Sequence, residues 1–332
     1  MVKSILSLII IILPYCFTNA QHIRLLTSGR PVSLRGLSVV NDQIIWVSGS
    51  GGCVGLSTDA GENWKWIQVH GFEKTDFRDI EAFSDQEAVI MGITEPAVIL
   101  RTTDGGKNWI TAFEDSAKSV FLDAMDFSGD EAVLIGDPDK EKIFFARSTD
   151  RGKSWLKSAT GSETTDSGEA FFAASGSNIR FIPGDGFAVV SGGKKSCLYL
   201  SSGRFALNLN QGEQTTGANS IAVNSADPNK AFIVGGDFSH DTSSYGNSLR
   251  IQFHPFVQTP PLTPPHGYRS CVEYLNNKEM ICCGTSGVDF TNDGGIHWTL
   301  ISGKSFHVCR KSKAGKSIFL AGPKGSVAVL QF

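Results

Sequence analysis

Carboxylates and guanidinium groups are the side chains whose type and spacing in this sequence suit chemistry. Asp79 and Glu81 stand two apart in the apolar run FRDIEA, which on a strand puts them on one face. Asp123 and Asp126 recur at the corresponding place in LDAMDF, and Glu169 follows in the next repeat. A glycoside hydrolase needs two such acids, one protonated toward the leaving oxygen and one ionised. Asp79, Glu81, Asp123 and Glu169 are therefore the candidate catalytic set, although a hydrated channel lining explains them more simply. A second constellation is basic: Arg35, Arg78 and Arg269, with His307. The planar fork of arginine binds carboxylates in bidentate fashion, so this group suits a peptide C-terminus or an acidic sugar. Other chemistries lack their signatures. There is no G-x-S-x-G elbow and no G-x-G-x-x-G between a strand and a helix. The seven histidines form no H-x-H or H-x-x-x-H pair, and Asp137, Asp139 and Glu141 lack the spacing of a calcium loop. No metal and no cofactor is expected, and the balance leans away from an enzyme.

The elements that position these residues follow from a repeat. STDAGENW at 57–64, TTDGGKNW at 102–109, STDRGKSW at 148–155 and TNDGGIHW at 291–298 share one pattern, the Asp-box signature. Asp59, Asp104, Asp150 and Asp293 are placed to accept bonds from backbone amides of their own turns. Gly61, Gly106, Gly152 and Gly295 supply positive φ. Trp64, Trp109, Trp155 and Trp298 fold back as apolar anchors. These residues are hairpin clasps rather than catalysts. A second landmark is an apolar run ending in glycine, seen at Gly49, Gly92, Gly136, Gly192, Gly235, Gly284 and Gly322. Consecutive apolar positions mark strands covered on both faces. Seven such runs at a period of about 45 residues predict an all-β, seven-bladed β-propeller, with six blades as the alternative.

In this reading blade one runs from Leu34 to Val69, and blades two to six begin near Phe77, Leu122, Ala170, Asn219 and Tyr268. The last blade has three C-terminal strands and borrows His22 to Thr27 as its fourth, closing the ring. LYLSSGRFAL at 198–207 is an eroded clasp, and HPFVQTPPLTPPHG at 254–267 is a loop within the same domain. Inner-strand starts then ring the channel mouth, on the face opposite the Asp turns. Arg35, Arg78, Asp123, Glu169, Asn219, Arg269 and His307 occupy those starts and form the expected ligand-binding set. The polar loops 93–97, 137–142 and 237–247 share that face.

The N-terminus reads as a signal peptide over 1–20: Lys3, then 13 apolar-run residues from Ile5 to Phe17, then Thr18-Asn19-Ala20 before a cut at Gln21. The expected product is one propeller domain, 21–332, placed in the periplasm, at the cell surface or outside the cell. A net charge of −3 offers no basic stripe for nucleic acid, and no other segment is apolar enough to span a membrane. A monomer is expected. Cys271 and Cys282 flank Asn276-Asn277 and are a candidate cross-hairpin pair; the remaining cysteines read as small buried apolar residues.

The Asp boxes, repeat length and export signal together resemble the propellers of the photosystem II assembly and stability factor family and its relatives outside photosynthesis. The likeness spans essentially the whole mature chain. Members of that group are binding platforms that help assemble membrane protein complexes, so it implies a protein- or peptide-binding scaffold. Sialidases, xyloglucanases and sortilin-type receptors carry the same clasp. A sialidase also requires an F/Y-R-I-P motif ahead of the first box. This chain has RPVSLRGLSVV there, and Arg180-Phe181-Ile182-Pro183 falls in blade four. A secreted carbohydrate-active enzyme stands as the alternative function.

Overall fold

The computed structural model describes residues 21–93, 95–157 and 164–332; the expected signal peptide lies outside them. The apolar glycine-ended runs are the second strands of seven antiparallel sheets, and their side chains are buried because neighbouring blades cover both faces. Blade one shows the pattern from axis to rim: Leu34–Val39, Ile45–Gly49, Cys53–Ser57 and Lys65–Gln68. In blade seven, Val308–Lys311, Ile318–Ala321 and Val327–Gln331 are completed by His22–Thr27. The pairing runs from His22 opposite Gln331 to Thr27 opposite Val327 and closes a seven-bladed propeller. Among the described residues, no helix is long and apolar enough to cross a membrane.

Each Asp turn is knitted by the same bonds. Asp104 accepts from the Thr102 hydroxyl at 2.9 Å, the Lys107 amide at 3.0 Å and the Asn108 amide at 2.9 Å. Gly106 has φ 75°, and its amide donates to Thr102 Oγ1 at 3.0 Å. A Cβ there would stand 2.7 Å from Ile67 of the preceding blade, so glycine is required for contact as well as for conformation. Trp109 meets Trp46 edge to face at 6.5 Å across the same joint. The turns thus fasten each hairpin and wedge it against its neighbour.

The glycines that end the second strands have a related cause. In blades one, two, three and five the inner strand carries a bulge, between Leu34 and Gly36, Phe77 and Asp79, Leu122 and Ala124, and Ala218 and Ser220. In three of these blades a backbone carbonyl at the entry to the inner strand lies against the facing glycine, as that of Tyr268 does on Gly284 in blade six without a bulge. A Cβ at Gly49, Gly136 or Gly235 would collide with the oxygen of Ser33, Phe121 or Gly217. A bulge re-aims one side chain out of the pleat. Here those side chains are Arg35, Arg78, Asp123 and Asn219.

Two expectations are corrected. Blade four starts at Ile179–Phe181, not near Ala170; Glu169–Ala170 instead pairs with Gly192–Gly193 beside the blade-five sheet. The eight residues between have another task, described below. In blade six Cys271 stands opposite Cys283, whereas Cys282 stands opposite Val272. Side chains alternate faces along a strand, so Cys271 and Cys282 point apart and form no cross-hairpin pair.

Candidate binding site at the channel mouth

The propeller's channel is filled by the connection from blade three to blade four. Phe171 donates its amide to Asp137 Oδ1 at 2.9 Å, on blade three. The Ala174 carbonyl accepts from Arg35 of blade one at 3.2 Å. Ser175 receives Arg310 of blade seven on its carbonyl at 2.7 Å, and its hydroxyl donates to the Ser270 carbonyl of blade six at 2.7 Å. Gly176 accepts Arg180 of blade four at 3.0 Å and lies against the Asp79 carboxyl of blade two. Ser177 donates to Ser220 of blade five at 2.7 Å. One short segment therefore touches all seven blades, and only small side chains fit where it crosses: Ala173, Ala174, Ser175, Gly176 and Ser177 are buried.

This plug divides the channel. Above it lies a cavity of about 440 Å³ with Ala173 and Ala174 in its floor. Arg35, Arg78 and His307 line it, with Phe121, Phe171, Phe172, Phe238 and Tyr268 as aromatic wall. Arg78 donates through Nε to Asp76 at 2.8 Å, and Arg35 uses NH1 on the plug; the remaining guanidinium N–H groups of both are uncommitted among the described residues. Burial, then the charge of Arg78, lowers the pKa of Arg35, so the site is short of negative charge. His307 donates its Nδ1–H to the Leu34 carbonyl at 2.9 Å, leaving Nε2 as an acceptor. Burial, with Arg35 and Arg78 nearby, holds its pKa down at about 4, so the ring is neutral. Asp137 also lines the cavity, its pKa raised by burial. An anionic group carrying a donor and an apolar body matches this lining.

The other expected residues are placed elsewhere. Arg269 is fully buried; it pairs with Asp289 and donates to the Tyr268 carbonyl at 2.7 Å and to Ser286 at 2.8 Å, so it does not reach the mouth. Asn219 is at the cavity wall, but its Oδ1 is occupied by the Tyr268 hydroxyl at 2.8 Å. Asp123 is fully buried against Ala173 of the plug and does not line the cavity; burial and then Asp137 raise its pKa well above normal. Glu169 is enclosed against blade four, bonded to Ser191, to Tyr199 at 2.5 Å and to Arg204 at 2.8 Å. Burial, then the bond to Glu169, pushes the Tyr199 phenol far up, so it keeps its proton, and the Glu169 side chain is closed off from solvent.

Asp79 and Glu81 line a separate cavity of about 300 Å³ below the plug, with Asp126, Glu273, Arg180 and Arg310. The four candidate catalytic acids therefore do not converge on one groove. Asp237, Ser239 and His240 have the composition of a hydrolytic triad, yet Asp237 at 2.8 Å and Ser239 at 3.0 Å both meet His240 at Nδ1. A triad needs its nucleophile on the other nitrogen. The aromatic wall went unread in the sequence; FFAASGS, with its run of small residues, was the available signal.

No family model matches this chain, and no curated protein matches it. Solved structures do. A YCF48 bound to a D1 peptide is 15% identical with a TM-score of 0.64, over 96% of this chain and 99% of that one. YCF48 from Cyanidioschyzon merolae is 16% identical at 0.65, over 94% and 99%. The WD40 β-propeller domain of Doa1 is 13% identical at 0.65, over 94% and 97%. At these identities the likeness establishes the propeller fold.

Proposed function

We propose that this chain is an exported binding propeller that grips the carboxylate of a partner in the channel-mouth cavity and performs no chemistry of its own. The observation that carries this reading is the pair of half-used guanidinium forks, Arg35 and Arg78, set beside neutral His307 over an aromatic wall. Bidentate arginine recognition inside a partly enclosed pocket is strong and selective for planar oxyanions. The peptide on one YCF48 neighbour supports a protein or peptide as partner, and a glycan bearing a carboxylate is the chemical equivalent. In this reading the four Asp turns are Asp boxes of the assembly-factor type. Residues 1–20 are the export signal, and the propeller works as a monomer in the periplasm, at the cell surface or outside the cell.

The test uses an octapeptide library displayed with free and with amidated C-termini. A subset of the free-carboxylate peptides is expected to bind and to lose binding on amidation. Arg35→Gln combined with Arg78→Gln should weaken them at least tenfold. Equal binding of amidated peptides, or an unaffected double variant, would sink the reading.

A further inference from the structure

The opposite face, which carries the Asp turns, has a second cleft between blades five and six. It encloses about 350 Å³ and is lined by Lys230, Arg250, Ile251, Val257, Tyr274 and Lys278, among others. Arg250 lies on the third strand of blade five, opposite Phe232. Its guanidinium donates no hydrogen bond and enters no ion pair among the described residues, and its Nε is buried. Buried donors are nearly always satisfied; Arg101, which has an ion pair through its terminal nitrogen, also leaves its Nε unpaired, so what sets Arg250 apart from it is the missing ion pair.

Blade two shows what is missing, whereas in blade three the equivalent arginine lies over the Phe187 ring. Arg101 holds the equivalent position in blade two, opposite Val89, and Arg147 holds it in blade three, opposite Val133. Two residues before those valines stand Glu87 and Glu131, and Arg101 is ion-paired to Glu87. Two residues before Phe232 stands Lys230. In blade five the resident carboxylate has been exchanged for a cation, and Lys230 turns to Asp227 at 2.7 Å. Lys278 adds another cation from blade six, while Asp293 is spent on its own turn and on His297. Ile251, Val257 and Tyr274 supply apolar walls.

We infer that this cleft is a binding site for a compact ligand with a carboxylate or phosphate head, the head taking on Arg250 the place that Glu87 holds on Arg101. It lies on the other face from the peptide pocket and stands or falls independently of it. The test is calorimetric titration of the full protein at low ionic strength with glucuronate, glucose 6-phosphate and uncharged glucose. Glucuronate, glucose 6-phosphate or both bind saturably and glucose does not, the two anions separating carboxylate from phosphate. Arg250→Gln weakens the binding at least tenfold. Lys230→Glu does the same by restoring the internal ion pair, and it keeps the fold intact. Arg78→Gln leaves the binding unchanged. The inference is overturned if neither anion binds, if glucose binds equally well, or if Lys230→Glu and Arg250→Gln retain affinity within twofold.

Discussion

Asp79 and His307 are both buried near the channel, and their proton equilibria move stability in opposite directions. Burial pushes Asp79 up to about 7, against the pull of the Met125 amide at 2.9 Å and of Arg310 and Arg180. Its folded pKa exceeds the unfolded value near 3.8, so its contribution is full below that value and is lost as pH rises through 7. His307, held down at about 4, contributes above its ordinary 6.5 and loses that contribution as pH falls through 4. Asp79→Asn is expected to cost about 1–2 kcal/mol at pH 5, because an amide cannot accept from both the Ile80 and Met125 amides. That deficit should shrink or reverse by pH 8, where the parent loses what the proton supplied. Urea midpoints at the two pH values decide this, and an identical deficit at both would show that Asp79 is ionised throughout.

At the level of the strand, the bulge and its glycine act as one device. The bulge turns Arg35, Arg78 and Asn219 toward the mouth, and in blades one and five the facing glycine leaves room for a backbone carbonyl. The same bulge in blade three buries Asp123 against Ala173 of the plug instead, so local backbone geometry alone does not assign a side chain to the pocket. Gly49→Ala places a Cβ on the Ser33 oxygen and next to Leu34, and should destabilise by about 1–3 kcal/mol. It should also weaken carboxylate-peptide binding by displacing Arg35, while Arg250-dependent anion binding on the other face stays as it was. Stability and both affinities measured on one variant would expose a merely global effect.

The whole ring is tied at its centre by the 171–177 segment and at its seam by His22–Thr27. Each ties residues far apart in the chain, so the blades are expected to unfold together rather than one by one. Gly176 has φ 61°, and any Cβ there would strike the Asp79 carboxyl. Gly176→Val should therefore cost about 3 kcal/mol or more, combining left-handed strain with overpacking. Thermal melting would show one transition moved to lower temperature. Two separated transitions would mean that the plug does not couple the blades.

The repeat, the turn chemistry and the closure of the ring were readable in order along the chain because each rests on local periodicity: an Asp bonded to its own turn, an apolar run ending in glycine, a count of seven. Arg35, Arg78 and His307 could be placed at the mouth by the same counting. The fates of Arg269, Asp123 and Glu169 could not, since each depends on a partner set by long-range packing: Asp289 twenty residues on, the plug, and the Tyr199–Arg204 pair. The start of blade four falls at Ile179 and not near Ala170, and local pattern does not show this because FFAASGS is apolar and short. Only the assembled ring shows that its small residues are there to cross the axis, where seven blades meet and larger side chains have no room.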